Sequence, residues 1–151
     1  MDGRESEPAV RKAWLGLLAK APHERLLELT GTIDRSVPVH WLRPPEIGAV
    51  MVRGRIGGSG GPFNLGEMTV TRASLRLACG TVGHGYVPGR SRPAAEAAAL
   101  VDALMQTETA GSVRTRVLEP LEREMAARSE TRAAKAAATR VEFFTMARGE
   151  D

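Results

Sequence analysis

Residues with the chemistry to bind or react are few, and their spacing restricts them further. His23, His40 and His84 stand far apart, without a His-x-x-x-His or similar pattern, so they propose no metal site. Cys79 is the only cysteine, which excludes an internal disulfide and any cysteine-based metal cluster. As a nucleophile it lacks an elbow or a base at a known offset, and its expected role is a small buried or half-buried residue. The run Gly57-Gly58-Ser59-Gly60-Gly61-Pro62 is glycine-rich enough to suggest a phosphate loop. Phosphate loops need a lysine and a hydroxyl entering a helix, whereas Pro62-Phe63-Asn64-Leu65 enters a strand. A flexible hairpin loop is the first reading, and a loop that orders against a partner or ligand is the second.

Arginine is the residue type that stands out. Lysine occurs only at Lys12, Lys20 and Lys135 among 21 basic residues, and arginine suits bidentate contact with carboxylate or phosphate. Arg72 and Arg76, four apart on an expected strand, point the same way. Arg90 follows the returning strand and falls near them or near Arg53 and Arg55. A solvated face is one explanation; an anion-binding or subunit-contacting surface is the other. Net charge is only +3, with two Trp, one Tyr and three Phe in 151 residues, weak support for nucleic-acid binding. Acids, bases and ligands do not converge into a nameable active site, so the catalytic residues are unknown and isolated catalysis is not expected.

The elements that would position these residues centre on Gly66–Leu77 and Thr81–Val87, two extended arms around Cys79-Gly80 that read as an antiparallel hairpin. Thr69, Thr71, Ala73, Leu75 and Leu77 share one face. Helices are expected over 7–30, opened by Ser6, broken at Pro22 and stopped by Gly31. Val37–Leu42 reads as an edge strand, Pro44-Pro45-Glu46 as a turn, and Val50–Ile56 as a strand inside the sheet. Ser91 and Pro93 open a helix over 92–106, apolar almost all round, which requires cover on more than one side, part of it from another chain. Residues 113–118 alternate before Pro120 and predict a strand. A charged helix over 120–138 carries the small-residue seam Leu121, Met125, Ser129, Ala133 and Ala137. The closing segment 140–148 holds Phe143, Phe144 and Met146, apolar groups that need a place to be buried in the sheet or on another subunit. One α+β domain follows, with an antiparallel or mixed sheet of five to six strands and helices packed on it. No apolar run approaches the roughly 20 residues of a membrane span, no secretory h-region opens the sequence, and a cytoplasmic protein is expected.

Several of these stretches resemble the PhnG family, a subunit of the bacterial carbon–phosphorus lyase system. The likeness lies in Gly66-Glu67, Val70-Thr71-Arg72-Ala73, Leu75-Arg76-Leu77, Gly80-Thr81, Gly83, Val87 and Gly89-Arg90. It continues through Leu100–Gln106 and closes on Arg140–Met146 and Arg148-Gly149. The resemblance implies an accessory subunit without a complete active site, working with PhnH-, PhnI- and PhnJ-like subunits and PhnL- or PhnK-like ABC proteins. Two copies per two-fold symmetric complex are implied. So is a reaction in which a phosphonate displaces adenine from MgATP to give α-D-ribose 1-methylphosphonate 5-triphosphate. MgATP and phosphonate would be substrates of the complex, with no cofactor bound by this chain alone, no nucleic acid and no membrane. Phe143, Phe144, Met146, Arg148, Leu100, Leu104 and Met105 are the partner-interface candidates. Arg72, Arg76 and Arg90 are candidates for interface or anion contact. A free-standing anion- or nucleic-acid-binding module and a stand-alone ribosyl transferase are the alternatives.

Overall fold

Residues 71–77 of the central hairpin alternate between buried Thr71, Ala73, Leu75 and Leu77 and outward-facing Arg72, Ser74 and Arg76. In the computed structural model, which describes residues 7–139, that alternation organises the fold. The chain runs α1 (Glu7–Lys20), α2 (His23–Thr30), β1 (Val39–Arg55), β2 (Pro62–Leu77), β3 (Val82–Pro88) and α3 (Arg92–Leu104). It continues through α4 (Ala110–Val113), a π turn (Arg114–Leu118) and α5 (Glu119–Ala138). The expected class is right: helices cover one face of an antiparallel sheet.

Among the described residues the sheet has three strands in the order β1-β2-β3, where five or six were expected for the chain. Part of the overcount lies in β1. Val37–Leu42 and Val50–Ile56 were expected as separate strands around a Pro44-Pro45 turn. They fall on one 17-residue strand that pairs with β2 from Val39↔Leu77 to Arg55↔Pro62. Pro44 and Pro45 sit in a bulge between the pairs Arg43↔Ser74 and Glu46↔Arg72. Proline donates no ladder hydrogen bond, and an edge strand tolerates that. The stretch from Val50 therefore lies at an edge rather than inside the sheet.

The second overcounted strand is 113–118. Val113, Val117, Leu118 and Leu121 are fully buried at helical spacing, so the same residues that alternate also fit one helix face. Pro120 does not end this helix because the wider π turn directly before it relieves the missing N–H and the ring's clash with the preceding turn. The remaining expected strand, 140–148, lies outside the described residues.

Helix α3 is the centre of the core. Ser91 Oγ accepts the Ala94 N–H at 3.3 Å, and Pro93 sits in the first turn. Ala94, Ala95, Ala97, Ala98, Ala99, Val101 and Ala103 are all buried. What covers so apolar a helix is the chain itself: β2 and β3 beneath, with α1 and α2 alongside. The alanines allow close approach, and β3 matches them with Gly83 and Gly85. A Cβ at these glycines would stand 2.1 Å from Ala99 O and 2.0 Å from Ala95 O. Gly-x-Gly on the strand and the alanine ladder on the helix are one packing device.

Two elements leave this body. Beyond Val70↔Pro88 the third strand ends, and β1 and β2 continue as a two-stranded ribbon to Arg55↔Pro62. Helix α5 buries Leu121, half-buries Glu124 and Met125, and is exposed from Ala126 to Thr139. The seam expected at Ser129, Ala133 and Ala137 meets no packing partner among the described residues; alanine-rich sequence sustains the helix without it.

Candidate functional site

The most tightly built polar site is one the sequence reading passed over. Asp102, lone acid in the second half of α3, is completely buried. Its Oδ1 accepts Arg11 Nε at 3.1 Å and Trp14 Nε1 at 2.8 Å. Its Oδ2 accepts Arg11 Nη2 at 2.7 Å and the His84 backbone N–H at 2.9 Å. Arg11 Nη2 and Gln106 Nε2 also donate to Val82 O, at 3.1 and 3.0 Å. One carboxylate thus joins α1, α3 and β3. Its hydrogen bonds hold the Arg11 guanidinium above its ordinary pKa, against the opposing effect of burial. Arg11 and Trp14, one helical turn apart, facing a single acid in an alanine helix, was the available signal. Every acceptor lobe is used, so the site positions helices and leaves nothing for a ligand.

The uncovered face of the sheet carries the predicted arginines, and they do not converge. Arg72 Nε donates to Glu46 Oε1 at 2.7 Å, and Arg43 Nη1 donates to the same oxygen at 2.6 Å. These two cations, Arg72 first, hold the Glu46 carboxyl below the usual carboxylate range. Arg76 stands opposite His40 on the same face, exposed, beside a shallow hollow lined by Pro38, Ala78 and Gly80. Arg90 follows Gly89 past Pro88, which pairs with Val70. That is at least six strand positions, about 20 Å, from Arg76. Among the described residues neither Arg76 nor Arg90 has an ion-pair partner, while Arg72 is already committed to Glu46.

Between the arginines, Ser74 Oγ and His84 Nδ1 are 2.9 Å apart, a cross-strand pair in register. Sequence spacing did not reveal it, because hairpin register brings the two together. Asp102 binds the His84 main chain rather than its ring, so it does not orient the imidazole as a triad acid does. Cys79, expected to be buried or half-buried, is exposed in the turn between β2 and β3. The Thr81 hydroxyl, 3.3 Å from its sulfur, holds the thiol below its usual range. Among the described residues, no group of three or more His, Cys, Asp or Glu gathers around a metal-sized site. No helix there is long and apolar enough to cross a membrane.

The partner-interface candidates on α3 are misplaced for that role. Leu100, Leu104 and Met105 are 7, 5 and 8% exposed, packed in the chain's own core, and the cover expected from another chain comes from α1, α2 and the sheet. Phe143, Phe144, Met146 and Arg148 lie outside the described residues. Surface remains elsewhere. An open groove of about 1040 Å³ runs between α1 (Lys12, Leu15, Gly16), Tyr86 on the β3 edge and Met125 on α5.

Residues 9–149 match the family model described as phosphonate metabolism protein PhnG. Over 147 residues the chain is 46% identical to a Rhizobium meliloti (strain 1021) protein, covering 95% of this chain and 92% of that one. The relative bears the name alpha-D-ribose 1-methylphosphonate 5-triphosphate synthase subunit PhnG. A match of this extent, through the alanine helix, its Gly-x-Gly strand and the projecting elements alike, makes the chain a member of the PhnG family.

Proposed function

We propose that this chain is an accessory subunit of a carbon–phosphorus lyase core complex, required when a phosphonate displaces adenine from MgATP to form α-D-ribose 1-methylphosphonate 5-triphosphate. The observation that carries the reading is 46% identity, over nearly the full length of both chains, to a protein named as a synthase subunit. What supports a non-catalytic role is the chemistry of the fold: among the described residues the one buried ionic site is consumed internally, and the arginines are dispersed. The substrates, MgATP and phosphonate, then belong to the complex, and the subunits contacted are PhnH-, PhnI- and PhnJ-like, with PhnL- or PhnK-like ABC proteins, around a two-fold axis. Displacement at a dissociating ribosyl centre requires exclusion of water and a phosphonate held in line. A subunit that touches no substrate contributes by holding its neighbours' site closed.

Geometry supports docking of the C-terminal aromatic pair in trans. Leu121 is the last core residue of α5, and the helix continues for seventeen residues to Ala138, about 26 Å at 1.5 Å per residue. Phe144 follows six residues later. Phe143 and Phe144 follow a helix that is exposed from Ala126 onward. They serve as anchors on a neighbouring subunit, with Met146 beside them, and Arg76, Arg90 and Arg148 provide charge at such contacts. Replacing both phenylalanines by alanine is expected to weaken assembly by about 30-fold for each ring that is a hot spot. Co-purification with co-expressed synthase subunits measures this. Adenine release from ATP and methylphosphonate should require the other subunits; release by the purified chain alone refutes the accessory role. Nucleic-acid binding that falls steeply with salt refutes it in favour of a binding module.

A further inference from the structure

Resting on the subunit reading, a second inference starts from an exposed apolar stretch among the described residues. From Ile47 to Thr69 there is no buried residue, although Val70, Thr71, Ala73, Leu75 and Leu77 on the same strand are buried. From Ala49↔Thr69 onward this stretch is the β1–β2 ribbon beyond the end of β3, with Ile47 and Gly48 at its base. Ile47, Met51, Ile56, Phe63, Leu65 and Met68 are 39–68% exposed on it. Isolated two-stranded hairpins are marginal in water, and contiguous exposed apolar groups mark interaction sites.

The ribbon is nevertheless built with care. Phe63 lies over Gly54 across the strand pair, 3.3 Å from where a Cβ would stand. Leu65 is bulged between the pairs Val52↔Gly66 and Arg53↔Asn64. At the tip, Gly60 N–H donates to Ile56 O at 2.8 Å, and Arg55 Nη1 donates to Gly60 O at 3.2 Å. Gly57 and Gly58 take φ of 59° and 82° to close the turn. The glycine-rich loop therefore ends a structured arm.

We infer that this ribbon inserts into a cleft of a different subunit of the synthase complex, a cleft apolar inside and lined with carboxylates where the tip arrives. Three observations select that occupant. Register puts Ile47 and Met51 on one face and Val50 and Met68 on the other, so both faces carry apolar groups. The ribbon is seven residues long on β1, from Ala49 to Arg55, about 23 Å by 10 Å, or roughly 230 Å² per face. A second copy packed face to face covers one face, well below the roughly 800 Å² per partner of a stable interface. A cleft that clasps both faces and the edge approaches it. Finally, Arg53 and Arg55 near the tip stand opposite Asn64 and Pro62, and the one acid within 47–69, Glu67, stands opposite Met51, which favours an acidic receiving surface.

The test co-expresses the full chain with the remaining synthase subunits and compares wild type with Met51→Glu, Leu65→Glu and the double variant. A control, Glu24→Ser, lies on exposed α2 surface. Met51 and Leu65 are 51 and 68% exposed, so the variants are expected to melt with the wild type. Each should weaken assembly about 30-fold or more, and the pair should abolish co-purification. Amide exchange at 51–55 and 63–66 should slow on assembly in the wild type. Wild type and variants assembling with equal affinity overturns the ribbon contact alone. A wild type that does not assemble at all overturns the subunit reading beneath it. Loss of self-association in the variants, with hetero-assembly unchanged, overturns the proposal in favour of a second copy.

Discussion

Substituting Asp102 by asparagine tests whether one buried carboxylate holds α1, α3 and β3 together. Both oxygens accept two hydrogen bonds each, from Arg11 Nε and Trp14 Nε1 on one side and Arg11 Nη2 and the His84 N–H on the other. Asparagine keeps one oxygen and turns an NH₂ group toward two donors. Flipping the amide only changes which two donors face it. Two hydrogen bonds are lost in either orientation, and the Arg11 charge loses its partner. Breaking a buried ion pair costs about 3–5 kcal/mol. The Arg11 side chain is 32% exposed and recovers some hydration, which places the expected loss at the lower end, about 3–4 kcal/mol. For a domain near 150 residues that is a fall in melting temperature of roughly 6–16 °C. Urea unfolding followed by Trp14 and Trp41 fluorescence measures it. A cycle with Arg11→Met, Asp102→Leu and their combination separates lost attraction from stranded charge, because exchanging both partners for apolar groups costs far less than exchanging one. An Asp102→Asn variant within about 1 kcal/mol of wild type, or strictly additive members of that cycle, refutes the reasoning.

Two further predictions concern the sheet. Gly85→Ala drives a Cβ into Ala95 O at 2.0 Å, helix backbone that cannot rotate away, and should cost about 3 kcal/mol, the upper end for overpacking. Gly48→Ala, with nothing within 4 Å, should be near neutral in the same denaturation series; equal effects at the two sites would show that α3 and β3 are not in close contact. Glu46, held below the ordinary carboxylate range by Arg72 and Arg43, should contribute its ion-pair stability above about pH 5. That contribution is lost as pH falls through the lowered folded-state value. Melting temperatures of wild type and Glu46→Gln should differ at neutral pH and converge in acid, and a constant offset across the range would contradict the pairing.

Local chemistry made much of this fold legible. Ser91 with Pro93, Pro22 and Gly31 marked helix boundaries, and the alternation from Thr71 to Leu77 marked which face of β2 is buried. The errors arose where one local pattern fits two structures. Val113, Thr115 and Val117 alternate as a strand would, yet Val113 and Val117 are also one helical turn apart, and only the neighbouring helices decide between them. Pro44-Pro45 reads as a turn unless an edge strand is available to absorb it in a bulge. The Ser74–His84 contact depends on strand register and carries no spacing signature, and for Asp102 the only signal was a lone acid in an alanine helix with Arg11 and Trp14 one turn apart on another.

The same distinction separates the two kinds of apolar surplus in the chain. Helix α3 looked too greasy to be covered by a body of this size, but small side chains need little cover. Alanines against Gly83 and Gly85 let helix and strand approach until the surplus disappears into backbone contact. No such economy is open to Met51, Leu65 and Met68: they are large, they occupy both faces of a ribbon, and they lie beyond the end of β3. An apolar helix of alanines is thus evidence about packing distance. An apolar ribbon of long side chains is evidence about a partner, and it is on this ribbon, rather than on α3, that the described structure directs the search for the subunit contact.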